Sequence, residues 1–210
     1  MPAPRRALVV VDVQQEYFDG PLEIQHPPRA ESLANVVSAV RAADAAGLPV
    51  VVVRHHLPAG APIFAEGSPG HALHPDVEAV VDPSWKQVLK QNGSVFAGTD
   101  LAEWLRGMDV DTVTLVGYMT NNCDLASAVE AEGLGFAAEV LSDATGAIEL
   151  SNAAGTVSAE QLHTTLMVLL HSNFAAVATT AQWLTAVADG AALPTSDLVT
   201  SALAGRSVAS

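Results

Sequence analysis

Two short runs made almost wholly of valine, "ALVVVD" at 7–12 and "LPVVVVR" at 48–54, constrain this chain more than any other feature. A strand with one face in water alternates apolar and polar residues; one that is apolar throughout has to be covered on both faces. Between the two runs, "RAESLANVVSAVRAADAAG" (29–47) sets Leu33, Val36, Val37 and Val40 on one helical face and stops at Gly47. The alternation continues. "TVTLVG" (112–117) and "FAAEVLSDA" (136–144) read as strands, and "FAAVATT" (174–180) reads as the last one. "SAEQLHTTLMVLLHSN" (158–173) reads as a helix opened by Ser158, with Glu160 in its first turn. Strands and helices in this order imply βαβ units and a parallel sheet sandwiched between helices. No repeat or linker divides the chain, so a single domain is expected over 1–188. The remainder, 189–210, is either a loose end or an arm packed on a neighbouring subunit.

Composition narrows the class. Half of the residues are hydrophobic and only 15% are charged, so a large core is available and disorder is not expected. No apolar run approaches the roughly 20 residues that span a bilayer, and the N-terminal run is too brief for a signal-peptide core. A net charge of −14 argues against nucleic acid and anionic membranes as partners. The single cysteine cannot form an internal disulfide, so a reducing, cytoplasmic setting is expected.

Ligands of open parallel sheets sit at the carboxyl ends of the strands, and three polar features fall there. Asp12 ends the first strand, where it is either a turn residue or a general base. Cys123 follows the third strand in "GYMTNNCDLAS", at the start of a helical pattern. It is either a buried hydrophobe or a thiol whose thiolate is favoured by a helix N-terminus. Asp124 would oppose that thiolate if it faced the same way. In "KQVLKQNGSVFAGTDL" (86–101), Lys86 and Lys90 hold two of only nine basic residues, and "QNG" is a turn. Taken alone, both lysines read as solvated surface residues.

Four segments together resemble the isochorismatase-like cysteine hydrolases, the superfamily that includes nicotinamidases and N-carbamoylsarcosine amidohydrolases. "ALVVVDVQQEYFDGPLE" is similar to the family's D-x-Q-x-x-[FY] opening, and "KQNGSVFAGTDL" to K-x-x-x-S-x-F-x-x-T-x-L. "VGYMTNNC" is similar to G-x-x-T-x-x-C, and "LSDATGA" to the strand that ends in Asp-Ala. The motifs fall in the family's order and cover residues 7 to 180. The resemblance implies a catalytic triad of Asp12, Lys90 and Cys123, Lys90 being preferred to Lys86 because it lies four residues before Ser94. It also implies a cis peptide at Tyr118–Met119, with the backbone N–H groups of Met119 and Cys123 forming an oxyanion hole. The fold expected is a three-layer α/β/α arrangement: a Rossmann-like, mostly parallel, six-stranded sheet with helices on both faces.

On this reading the chain cleaves an amide, carbamoyl or ureido C–N bond of a small molecule through a thioester on Cys123, without a cofactor. Phe18, His55, Phe64, Tyr118 and Asn122 are candidates to line the substrate pocket, with Trp85 a weaker one. The long Gly-, Pro- and His-rich segment 55–85 is a candidate lid. Nicotinamidases carry an Asp-x-His and a further His that hold a metal near the second strand. Here "RHHLP" puts His55 at the Asp and Leu57 at the ligating His, so no metal is expected. His71 and His74 lack an obvious third ligand, and His163 and His171 read as structural. The residue after the family's cysteine is usually apolar, and here it is Asp124. Vinyl-ether hydrolysis of isochorismate is the alternative activity, disfavoured because members with that activity lack the cysteine. A non-catalytic binding or oligomeric role, or a redox role for Cys123, is a further alternative. A homo-oligomer, dimer or tetramer, is expected.

Overall fold

The computed structural model describes residues 3–208. Strand β1 (Arg6–Val11) is buried along its whole length, as its valine run requires. Helix α1 (Arg29–Ala45) buries Leu33, Val36, Ala39, Val40 and Ala43, the i, i+3, i+4 stripe of a helix lying on a sheet. Then follow β2 (Val50–His55), the single-turn α2 (Pro75–Glu78), β3 (Lys86–Lys90), α3 (Leu101–Gly107) and β4 (Thr112–Tyr118). The second half contains α4 (Leu125–Leu134), β5 (Ala137–Gly146) and a small hairpin, β6 (Leu150–Asn152) with β7 (Gly155–Val157). It ends with α5 (Ala159–Asn173), β8 (Ala176–Ala178), α6 (Thr180–Ala188) and α7 (Leu198–Val208).

Six parallel strands form the central sheet in the order β3-β2-β1-β4-β5-β8. Side chains alternate across β1. Leu8 and Val10 join one core with Leu33, Val36 and Val40 of α1 and Trp183 of α6. Ala7, Val9 and Val11 join the other with Leu101 and Leu105 of α3, Ala128 of α4 and Met167 of α5. This is the expected three-layer architecture. The strand order reverses between β1 and β4, which opens a crevice at their carboxyl ends.

The structure departs from the sequence reading in several elements. β3 reads in sequence as surface lysines, yet it is the sheet's edge strand. Val88 and Lys90 point inward while Gln87 and Leu89 are exposed. The last strand is only Ala176–Ala178. Thr179 instead caps α6, its hydroxyl taking the Gln182 N–H while the Gln182 side chain returns to the Thr179 backbone. The segment after 188 is tied to the domain, since Arg6 donates to the Ala191 carbonyl at 2.7 Å and Leu193 is buried. Residues 209 and 210 lie outside the described residues. No described helix is long and apolar enough to cross a membrane.

Candidate active site

Three strand ends converge on one buried point. Asp12, the first residue beyond β1, has φ 48, and this left-handed turn carries it out of the strand direction. Its N–H still pairs with the Val53 carbonyl of β2. Gly117 of β4 sits opposite Val11, and a Cβ at Gly117 would collide with the Val11 carbonyl. Only glycine lets the ends of β1 and β4 approach this closely, which brings Asp12 beside the turn that follows β4. That turn, Thr120–Asp124, is a single wide helical turn leading into α4, and it contains Cys123. Lys90 closes β3, paired in register with His55. The Tyr118–Met119 peptide is cis.

Asp12, Lys90 and Cys123 are 0%, 2% and 1% exposed, so whatever they do is done away from bulk water. Lys90 Nζ lies 2.6 Å from Asp12 Oδ2 and donates to Cys123 Sγ at 3.2 Å and to the Asn92 carbonyl at 3.1 Å. His55 Nδ1 lies a further 3.1 Å from the same nitrogen. Four acceptors thus surround an ammonium that has three protons. The N–H that Lys90 already directs at sulfur is in place to strengthen as charge forms there. Burial works against the Lys90 charge, but Asp12 and Cys123 outweigh it and hold the lysine above its ordinary pKa. Burial and Lys90 together lower the pKa of His55. His55 is therefore neutral, with Nδ1 accepting and the proton on Nε2.

The thiol departs from the sequence reading. A helix N-terminus suggested a lowered pKa, but burial pushes Cys123 up to about 12, with Asp12 adding to the rise and Lys90 opposing it. The resting group is a thiol. Ser127 of α4 fixes its backbone, donating to the Cys123 carbonyl at 2.6 Å and accepting the Val95 N–H at 3.0 Å. The segment after Lys90 is thereby tied to the turn that carries the nucleophile.

Four of the five predicted pocket residues belong to one ladder of ring contacts. Phe18 touches Tyr118 (5.6 Å between centroids), Tyr118 touches Tyr17 (5.5 Å), Tyr17 touches Phe64 (5.4 Å) and Phe64 touches His55 (4.9 Å). Tyr17, the central rung, was missed in the sequence although it occupies the aromatic position of the opening motif. Burial, with Cys123 and Asp12 nearby, keeps the Tyr17 phenol well above its usual pKa, so the hydroxyl stays protonated. Tyr118 is fully buried, its hydroxyl 2.8 Å from Ser32 Oγ. Asn122 stands apart, against Gly93. Trp85 is partly buried against the same core but is not one of the ladder's ring contacts. Gln14, also missed, is buried. It takes the His55 N–H at 2.7 Å and donates to the carbonyls of His55 and His71, which fixes where segment 55–85 begins.

A cleft of about 330 Å³, lined by His56, Leu89, Lys90, Gln91, Asn92 and Gly98, reaches the lysine. A cavity of about 260 Å³ bounded by Gln15, Glu16, Asp19 and Ile63 touches none of the three central residues.

The donors do not suit a metal. Asp12, His55 and Cys123 are the one group of three among the described residues with ligand atoms close enough, within 4.8 Å. The Lys90 ammonium already sits among them as their cation. His56 Nδ1 and His71 Nε2 satisfy one another at 3.1 Å, and Leu57 offers no donor. His74 caps α2, His171 Nδ1 accepts the Val177 N–H and His163 bonds Thr120, so each has a place in the fold.

Residues 6–182 match the family described as "Isochorismatase domain". A solved isochorismatase-like structure from Burkholderia xenovorans LB400 is 46% identical, has a TM-score of 0.93, and is covered over 97% of each chain. A nicotinamidase/pyrazinamidase of Mycobacterium tuberculosis is 30% identical over 191 residues, 80% of this chain and all of its own length. A maleamate amidohydrolase of Pseudomonas putida is 39% identical over 87 residues, 41% of each chain.

Proposed function

The chain belongs to the isochorismatase family of hydrolases, and from that premise we propose that it is a cysteine amidohydrolase. On this proposal it cleaves the C–N bond of a small amide, carbamoyl or ureido compound. One observation carries the reading: Lys90 Nζ bridges Asp12 Oδ2 at 2.6 Å and Cys123 Sγ at 3.2 Å, all three side chains being buried.

With Cys123 held as a thiol, proton transfer accompanies attack rather than preceding it. Asp12 accepts the thiol proton as sulfur bonds the carbonyl carbon, and the Lys90 N–H already directed at sulfur steadies the charge that grows there. The N–H groups of Met119 and Cys123 receive the oxyanion. Asp12 returns its proton to the nitrogen, the C–N bond breaks, and the amine leaves a thioester on Cys123. Asp12 then takes a proton from water. The hydroxide adds to the acyl carbon, the C–S bond breaks, and the thiol recovers its proton. No redox step and no cofactor enter this sequence. Vinyl-ether hydrolysis of isochorismate would leave Cys123 without a role. The test is a panel of small amides, carbamates and ureas scored for ammonia or amine release, with Cys123→Ala as control. Turnover lost in that variant supports the proposal, and turnover retained in it refutes the proposal.

Two further expectations attach to this reading. Because an ammonium serves as the site's cation, exhaustive chelation is expected to leave turnover unchanged; loss restored by zinc or iron would contradict it. The chain is also proposed to form a homo-oligomer in a reducing, cytoplasmic setting. Val168 on α5, with Leu198, Val199 and Leu203 on α7, exposes an apolar surface next to the region where these helices meet. Light scattering should give a dimer or tetramer, and a monomer would overturn that expectation.

A further inference from the structure

The proposed mechanism makes no use of Asp124, although this carboxyl is completely buried directly after the nucleophile. Its Oδ2 is bonded to the Thr145 hydroxyl of β5, and its Oδ1 is buried without a hydrogen-bond partner. Thr145 Oγ1 lies 3.0 Å from Thr120 Oγ1, which lies 3.0 Å from His163 Nδ1 on α5. Four side chains from the turn, β5 and α5 thus form one continuous chain of hydrogen bonds.

Each threonine hydroxyl has one proton, so the direction of donation at one end of the chain fixes it at the other. Burial holds His163 neutral, so one ring nitrogen carries the proton and the other accepts. With Nδ1 as the accepting nitrogen the bonds run in one direction. Thr120 then donates to His163, Thr145 donates to Thr120, and Asp124 must donate to Thr145. An ionised Asp124 would reverse every bond and place the His163 proton on Nδ1. Charge balance selects the neutral acid: Lys90 is the buried cation at the site and Asp12 already offsets it, so a second buried carboxylate, with its Oδ1 unpartnered, would have no counter-charge.

We propose that Asp124 is a positioning residue held as a neutral carboxylic acid by complete burial without a counter-charge, its proton coupled to the Thr145–Thr120–His163 chain. It keeps a second anion away from Cys123, and its ionisation damps the reactivity of the thiol. The groups acting around it are Asp12 and Lys90 from the ends of β1 and β3, Tyr17, Tyr118, Cys123 and, behind the chain, His163 and His26. Burial raises the Asp124 carboxyl to about 7, with Thr145 opposing and Asp12 adding to the rise. Burial, helped by His26 at 5.4 Å between rings, lowers His163 to about 4, so the proton rests on Asp124. Below neutrality the acid is uncharged. Above it the carboxylate disfavours the thiolate beside it, so the rate of Cys123 alkylation should climb less steeply with pH than that of a free thiol.

The inference rests on the proposed function only in taking Cys123 as the reacting group, and its test does not need a substrate. The full chain, labelled with ¹³C at the aspartate carboxyls, is titrated by NMR from pH 5 to 9. Iodoacetamide alkylation of Cys123 is timed in parallel for wild type and Asp124→Asn. One carboxyl should titrate near neutrality and be absent from Asp124→Asn. The variant should alkylate within about twofold of wild type at pH 6 and about tenfold faster at pH 8.5, the effect of one removed neighbouring charge. If Asp124→Asn does not fold, persistence of the neutral titration in Asp12→Asn makes the assignment. The proposal is overturned if every aspartate titrates below about pH 5. It is equally overturned if the two alkylation rates keep one ratio across the range. An amide panel that gives no turnover would count against the hydrolase reading and leave these readouts untouched.

Discussion

Replacing Asp12 by Asn is expected to lower kcat/KM by about 10²- to 10⁴-fold, the usual contribution of a general base. The carboxamide fills the same space but cannot take the thiol proton. With the thiol held at about 12, little thiolate forms at neutral pH without a base beside it. The backbone should survive the change, because Asp12 sits in the left-handed region at φ 48, where asparagine is at least as well tolerated as aspartate. Steady-state kinetics on an active substrate gives the answer. A fall of less than about threefold would mean that another group takes the proton.

Lys90→Met tests the other half of the pair and should alter stability as well as rate. Methionine fills the channel but leaves Asp12 a buried carboxylate without counter-charge. Breaking a buried ion pair from one side typically costs about 3–5 kcal/mol. Activity should fall at least about 100-fold, because the charge that steadies both carboxylate and nascent thiolate is gone. The double variant Asp12→Asn, Lys90→Met separates the two effects, since it removes both charges and leaves neither stranded. Urea denaturation should therefore show it regaining a large part of the stability lost in Lys90→Met, with activity still absent. A single variant as stable and active as wild type would place Lys90 outside the machinery.

The strands legible in the sequence are those whose burial is written into every residue. β1 and β2 are valine runs, which marks them as covered on both faces, and the helical pattern between them gives their parallel direction. β3 is an edge strand whose inward face carries Val88 and then Lys90, so its five residues look like a charged surface segment until the sheet pairs them with β2. α6 escaped notice because the Thr179 cap directly follows the β8 strand, and one apolar run covers both. Asp12 and Cys123 were legible because each follows an expected strand, whereas Lys90 was legible only through the resemblance of its segment to the family's K-x-x-x-S-x-F motif. The environment of Cys123 was not, because the favourable field of a helix start is a local property whereas burial is a tertiary one, and here burial is larger. The Asp124–Thr145–Thr120–His163 chain was invisible for the same reason. Its members come from distant segments, and only the return of β5 beside β4 and the seat of α5 bring them into contact.

The central claim is that Cys123 carries the acyl group between two half-reactions. Acid quenching during turnover, followed by mass analysis of the peptide that contains Cys123, tests it directly. The account predicts an adduct of the acyl part of the substrate on Cys123, absent from Cys123→Ala, whose turnover should be lower by at least about 10³-fold. Turnover preserved in Cys123→Ala, with no adduct in the wild type, would contradict it.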